Sequence, residues 1–276
     1  MVNRLFRGLW MSVLTTWLAG CGGMGGDDPV TGITATNLRY SQTAILTLSG
    51  NALDNAITVT SNKCSSLILL NTTSPNTRQA YCTVSGTGTA FFTVKSSAGY
   101  VVYTTTLQIP EPQVTFKTSL GDFVMELNPT AAPITAKNFM SYVNQSPSFY
   151  NSTIFHRVIS GFMVQGGGYT TGLMAKTTGN AITLETTQAT GLSHLRGTVG
   201  MARQPAADSA TSQFFVNVVD NNSLNYQSAS SPGYAVFGRV ISGMDVIDLM
   251  TTKPLQSSGD HVPVTDITVT SATQTQ

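Results

Sequence analysis

Charge is what this chain has least of. Asp, Glu, Lys and Arg make up only 10% of its 276 residues, against about 25% in an average soluble protein. Fourteen basic and thirteen acidic side chains leave a net charge of +1, with no block of one sign. A nucleic-acid partner would demand a basic stripe to neutralise phosphates, and bulk cation binding would demand an acidic tract, so both are excluded as expectations. Histidine is scarce, with three residues, and cysteine occurs only at Cys21, Cys64 and Cys82. No grouping of these has the ligand spacing of a metal centre, and neither a metal nor a cofactor is expected. Long helical periodicity is sparse as well. What remains is a hydrophobic fraction of 41%, enough for a core, in a background of Thr, Ser, Asn and Gly that favours mainly β structure with polar turns.

The N-terminus reads as an address. Arg4 and Arg7 precede an apolar run from Leu9 to Ala19, shorter than the roughly 20 residues of a spanning helix. The run ends Leu18-Ala19-Gly20-Cys21, which resembles a bacterial lipoprotein signal. That resemblance implies cleavage after residue 20 and lipidation of Cys21; the alternative is an ordinary secretory signal with an incidental cysteine. Gly22 stands where an Asp would favour retention in the inner membrane, so the expected location is the bacterial cell envelope, facing the periplasm and anchored to the outer membrane. Residues 21–29 form a glycine-rich tether ending Asp27-Asp28-Pro29, a composition that buries too little apolar area to fold.

Residues 30–110 alternate strand-like runs with turn-rich gaps: Gly32 to Tyr40, Thr43 to Ser49, Ile57 to Ser61, Leu67 to Leu70, Ala80 to Ser85, Thr89 to Lys95 and Tyr100 to Ile109. Short strands at this spacing predict a β-sandwich, immunoglobulin-like in the broad sense. Cys64 and Cys82 are expected to pair, as two cysteines of an exported protein usually do; two free buried thiols are the other possibility. No catalytic constellation occurs here, and a spacer or binding module is the expected role. Pro110-Glu111-Pro112 marks a boundary.

Residues 112–272 form a second expected domain. Val114 to Thr118 and Phe123 to Leu127 flank a turn, Asn128-Pro129-Thr130 opens a helical pattern, and a shorter helical pattern runs from Met244 to Met250. A last strand is expected over Val264 to Thr270. The densest chemistry lies between Phe155 and Gly168. Two apolar segments flank Ser160-Gly161, a turn signal. The first carries Arg157; the second carries Gln165 beside Phe162 and Met163. Gly166, Gly167 and Gly168 follow, where a side chain would block close approach of a ligand or another backbone. A fixed cation, a neutral amide and an apolar wall suit an uncharged, partly apolar ligand such as a peptide.

Five blocks then recur in order: Phe-His-Arg-Val-Ile from Phe155, Gly-Phe-Met-Val-Gln-Gly-Gly from Gly161, Gly-Met-Ala from Gly200, Ser-Gln-Phe-Phe from Ser212, and Val-Phe-Gly-Arg-Val from Val236. Together they resemble the cyclophilin-type peptidyl-prolyl isomerases, over nearly all of residues 112–272. Ala202-Arg203 and the segment Asp208 to Gln213 resemble the bacterial, periplasmic branch. The resemblance implies an eight-stranded antiparallel β-barrel with two capping helices. It implies rotation about X-Pro bonds of exported or envelope proteins, assisting their folding; the alternative is a holdase-like peptide-binding module with weak or lost isomerase activity.

The resemblance also assigns residues. Arg157 matches the catalytic arginine, Gln165 the glutamine that binds the substrate carbonyl, and Phe162 an apolar wall of the catalytic site. Met163, Phe215 and Leu224 match the proline pocket, His156 its rim, Ala202 and Arg203 a segment that binds the substrate backbone, and Gln213 a residue behind the pocket. Tyr234 stands where eukaryotic members carry a histidine, and Ser223 where they carry a tryptophan. The missing aromatic implies weak cyclosporin binding. Proline-containing polypeptides are the expected partners, and a monomer the expected state. His194 and His261 read as loop residues with no ligand partners.

Overall fold

The computed structural model describes residues 29–257 and 259–276. The signal segment and Cys21 lie outside the described residues.

Seven strands follow Pro29: β1 (Val30–Thr36), β2 (Thr43–Gly50), β3 (Ile57–Ser61), β4 (Cys64–Leu69), β5 (Thr77–Val84), β6 (Gly88–Ser96) and β7 (Val101–Ile109). They make two antiparallel sheets, ordered β1-β2-β5-β4 and β3-β6-β7. The period-2 alternation explains the packing: Ala44, Leu46 and Leu48 of β2 face inward while Thr43 and Ile45 face out. Leu46, Leu48, Ala80, Phe92 and Val94 share a core with Cys82, and Cys82 is disulfide-bonded to Cys64.

β1 stops earlier than its alternation predicts. Asn37 and Ser41 adopt positive φ of 55° and 60°, a backbone that short polar residues tolerate and extended strands do not. The turn frees Tyr40, which is 3% exposed and packs into the core of the second region.

That second region continues with β8 (Gln113–Thr118), β9 (Gly121–Leu127), α1 (Pro133–Val143), β10 (Arg157–Ile159), β11 (Met163–Gly166), β12 (Tyr169–Thr170), β13 (Met174–Ala175), α2 (Thr187–Thr190), β14 (Thr198–Met201), β15 (Phe214–Asn217), β16 (Val236–Ser242), α3 (Met244–Met250) and β17 (Val269–Gln274). Eight strands form one antiparallel sheet in the order β10-β11-β15-β14-β16-β9-β8-β17. The sheet curls until its two ends meet. Ser152 N donates to Val269 O at 2.8 Å, Val269 N to Thr153 O at 2.8 Å, and Phe155 N to Ile267 O at 2.9 Å. The inside is aromatic: Phe116, Phe123, Phe139, Tyr150, Phe155, Phe214 and Phe237 are fully buried. Phe116 stacks on Phe123 at 5.1 Å, and Phe139 meets Phe214 edge-on at 5.5 Å.

α1 covers this core with Phe139, Met140 and Val143. It begins at Pro133, in the first turn of the expected helical pattern, and Asn128 closes the preceding turn with its Oδ1 accepting from Ala131 N at 2.9 Å. Ala132 offers no capping side chain. A distant carboxylate does so: Glu185 accepts from Ile134 N at 3.0 Å, Thr135 N at 2.8 Å and Thr135 Oγ1 at 2.7 Å. A carboxylate at an N-terminus satisfies orphan donors and suits the helix dipole.

The final strand corrects the sequence expectation. It spans Val269–Gln274, not Val264 to Thr270. Val264 is 58% exposed, and its N–H bonds to Pro254 O in a loop. Val264 is out of phase with the buried Ile267 and Val269, and β8 supplies partners only from Val269 onward.

Candidate active site

The hairpin of β10 and β11 sets the site. Arg157 lies opposite Gln165, Val158 opposite Val164, and Ile159 opposite Met163. Gly161 takes φ +69° in the connecting turn, a conformation glycine adopts without strain. β11 then pairs with β15, placing Gln165 opposite Phe215 and Met163 opposite Asn217. β14 completes the row, with Gly200 opposite Phe215. Opposed residues share a sheet face. Val158, Val164, Val216 and Val199 therefore point into the barrel core, and Arg157, Gln165, Met163 and Phe215 point to its outside. Gly200 is required here: a Cβ would lie 2.3 Å from Phe215 Cζ.

Arg157 is exposed, and Nη1 donates to Gln165 Oε1 at 3.4 Å. Gln165 Nε2 donates to Gln213 Oε1 at 2.9 Å. Arg157 makes no salt bridge among the described residues, so its remaining donors stay available. Next to it, His156 is half-buried, packs edge-on against Tyr169 at 4.6 Å, and leaves Nδ1 unpartnered. Burial pulls its pKa down to about 4; the Ile154 backbone opposes the shift and the Arg157 charge adds to it. His156 is thus a neutral rim group.

A cavity of about 520 Å³ opens here, and His156, Arg157, Gln165, Ala202, Arg203 and Gln213 all line it. Of the other expected residues, Phe162, Met163, Phe215, Leu224 and Tyr234 do not line this cavity. Met163 and Phe215 share the outer sheet face with Gln165. Met163 and Phe215 are nearly buried there, Tyr234 meets Phe215 edge-on at 5.8 Å, and Tyr234 N donates to Leu224 O at 3.0 Å. Arg203 is pinned by its Nε on Gly233 O at 3.0 Å and Nη1 on Gln204 O at 2.9 Å, and its guanidinium lies 4.7 Å from the Tyr234 ring. Ser223 is exposed in a 3-10 turn.

Ser209 and Thr211, in the segment Asp208 to Gln213 that the sequence singled out, also line the cavity, and sequence reasoning missed Tyr169, Leu173, Asp260 and Val262. They arrive on separate segments and carry no local motif. At the triple glycine the close approaches come from within the protein. A Cβ at Gly166 would lie 2.8 Å from Phe155 Cδ1, one at Gly167 2.9 Å from Phe214 Cδ1, and one at Gly168 2.5 Å from Gln213 Cγ. These glycines admit the protein's own side chains and, at Gly166, the Ile154 backbone oxygen, 3.1 Å from that Cβ. His194, read as a loop residue with no ligand partners, does lie in a loop, where it is fully buried and bonded on both ring nitrogens.

A curled eight-stranded sheet, with an arginine, a glutamine and a phenylalanine abreast on its outer face, defines a class, and a family model agrees. The model described as cyclophilin type peptidyl-prolyl cis-trans isomerase/CLD matches residues 113–274, and the chain belongs to that enzyme family. It is similar to a peptidyl-prolyl cis-trans isomerase of Acinetobacter baylyi, 53% identical over 148 residues, which covers 54% of this chain and 76% of the relative. Peptidyl-prolyl cis-trans isomerase B of Escherichia coli K12 is 47% identical over 164 residues, 58% of this chain and 98% of its own. Among solved structures, a cyclophilin-type isomerase of Cryptosporidium parvum superimposes with a TM-score of 0.50 at 25% identity, covering 60% of this chain and 99% of that one.

Proposed function

We propose that this isomerase acts on X-Pro bonds of exported or envelope proteins and so assists their folding, with Arg157 as the group that favours the transition state. The single observation that carries the role of Arg157 is its place opposite Gln165 and in line with Phe215, without a carboxylate partner. X-Pro bonds turn slowly because amide resonance sets a barrier of about 18–20 kcal/mol. When the bond twists, the prolyl nitrogen loses conjugation, turns pyramidal and accepts a hydrogen bond. A donor already aimed at that nitrogen binds the twisted state more strongly than either planar isomer, which is what lowers a barrier. Gln165 holds the substrate carbonyl, the backbone at Ala202 and Arg203 receives the extended peptide, and Phe162, Met163, Phe215, Leu224 and Tyr234 surround the prolyl ring. No proton transfer or nucleophile is needed.

The test is a protease-coupled turnover assay on a proline-containing tetrapeptide. Arg157→Ala is expected to lower turnover at least tenfold, about 1.4 kcal/mol of transition-state stabilisation, with folding unchanged by circular dichroism. Near-normal turnover in the folded variant overturns the assignment.

The address of the enzyme belongs to the same proposal. Arg4, Arg7, the Leu9 to Ala19 run and Ala19-Gly20-Cys21 support a lipid anchor on Cys21, and Gly22 supports the outer membrane. The disulfide between Cys64 and Cys82 suits an oxidising compartment. Incorporation of a palmitate analogue that survives Cys21→Ala would sink the anchor.

A further inference from the structure

We propose that His194, Asn217 and Asn221 form a buried positioning relay that ties Tyr234 and Phe215, on one side of the prolyl pocket, to Phe162 on the other. The proposal rests on the assignment of those three aromatic residues to the pocket.

The relay can be followed bond by bond. His194 and Asn217 are fully buried and Asn221 is 7% exposed. Polar groups at such depth are strongly unfavourable unless paired, and these are paired. His194 Nε2 lies 3.1 Å from Tyr234 O. A carbonyl only accepts, so Nε2 carries the proton. His194 Nδ1 lies 3.1 Å from Asn217 Nδ2. An amide nitrogen only donates, so Nδ1 is bare. The two bonds select a single neutral tautomer, and burial lowers the His194 pKa in the same sense. Asn217 Nδ2 also reaches Thr198 Oγ1 at 2.9 Å. Asn217 Oδ1 accepts from Asn221 Nδ2 at 2.8 Å, and Asn221 Nδ2 donates again to Phe162 O at 2.8 Å. A continuous path of directed bonds thus joins the carbonyl of Tyr234 to the carbonyl of Phe162.

The imidazole ring also packs. It stacks on Phe215 at 5.5 Å with the planes 13° apart, and meets Tyr234 edge-on at 6.5 Å. Its backbone is tied to the loop that carries Leu224: Asn221 N donates to His194 O at 2.7 Å, and Asn225 Oδ1 accepts from His194 N at 3.0 Å. One residue therefore fixes Phe215 by its face, Tyr234 by its carbonyl and the Leu224 loop by its backbone. None of this touches the reacting bond. The relay sets where the walls stand, hence how well the prolyl ring is held in every state of the reaction. Such uniform binding appears in KM, whereas a group acting at the twisted bond appears in kcat.

The test uses the full chain and the same tetrapeptide, with KM and kcat measured separately. His194→Phe keeps a ring and removes both imidazole bonds. KM is expected to rise about five- to tenfold with kcat within about twofold. His194→Gln, which can still donate and accept, should recover part of the loss. Nitrogen-15 spectra of the wild-type imidazole should show the Nε2–H tautomer, and its resonance should shift on saturation with the peptide. A folded His194→Phe variant with wild-type KM overturns the relay. Should that variant fail to fold, an imidazole resonance indifferent to saturating peptide overturns it as well. Arg157→Ala is measured beside them. Wild-type turnover in Arg157→Ala overturns the site assignment and the relay with it. Impaired turnover in Arg157→Ala with unchanged KM in His194→Phe overturns the relay alone.

Discussion

Arg157 reaches into solvent and His156, its neighbour, does not, and the contrast sets how the molecule responds to acid. With its pKa pulled down to about 4 in the fold and near 6.5 in the unfolded chain, His156 takes up a proton more readily when unfolded. The unfolded state then binds more protons between the two values, so stability falls as pH drops from about 6.5 toward 4. Above that window the contribution is complete. Urea unfolding should show a loss on the order of 1–2 kcal/mol between pH 7 and pH 5 from this residue, and His156→Gln should remove that part of the slope. His194, whose pKa burial also lowers, adds to the slope in the same direction, so a residual slope in the variant is expected. For the role proposed for Arg157 a different residue-level contrast matters. Arg157→Lys keeps the charge and loses the planar fork; turnover between that of wild type and Arg157→Ala is the expected result in the coupled assay. Arg157, Gln165 and Phe215 were legible in the sequence because each sits in a short motif. His194 was not, because its partners Asn217 and Tyr234 lie 23 and 40 positions away, and nothing local marks a histidine as buried.

At the scale of elements, strands were readable wherever one face meets the core and the other meets water. β2, β3 and β8 follow that rule, and their alternation locates them to within a residue or so. Alternation alone cannot say where pairing begins. The sequence expectation begins at Val264, yet only Ile267 and Val269 turn inward in alternation and the ladder to β8 starts at Val269. β1 illustrates the other limit: its pattern runs on to Tyr40, and the positive φ at Asn37 ends it first. Helix α1 was found by its apolar face, but its cap was invisible, since Glu185 is 50 positions from Thr135. That cap carries a prediction. Glu185→Ala leaves Ile134 N and Thr135 N without their acceptor, at a cost of about 1–2 kcal/mol by analogy with lost N-caps. Thermal unfolding should move down accordingly. The cavity residues are elsewhere, so kcat at 25 °C should be unchanged; a fall in kcat without a fall in stability would contradict the capping role.

The whole molecule turns on how its two cores meet. Tyr40 belongs by sequence to the sandwich and by packing to the barrel. Burial and the nearby Glu185 and Glu111 carboxylates push its phenol pKa up to about 12, so it stays a neutral plug. Around it, Gln274 Nε2 donates to Tyr40 O at 3.1 Å, Gln42 Nε2 to Gln274 Oε1 at 3.1 Å, and Thr87 Oγ1 to Glu111 Oε1 at 2.8 Å. Gln274 lies in β17, the strand bonded to the segment that leads into the Arg157 hairpin. Loss of the sandwich would therefore be felt through β17 before it reached the site. Removing a buried aromatic side chain costs about 3–5 kcal/mol. Tyr40→Ala should take that from the barrel and, with the plug gone, split one unfolding transition into two in calorimetry. Reduction of the Cys64–Cys82 disulfide closes the comparison. It relaxes a loop whose closure stabilises the sandwich by roughly 3 kcal/mol, and in wild type the coupling through Tyr40 should lower the barrel's transition as well. In Tyr40→Ala the same reduction should shift only the sandwich. A barrel transition that ignores reduction in the wild-type chain would mean the two cores fold independently despite their contact.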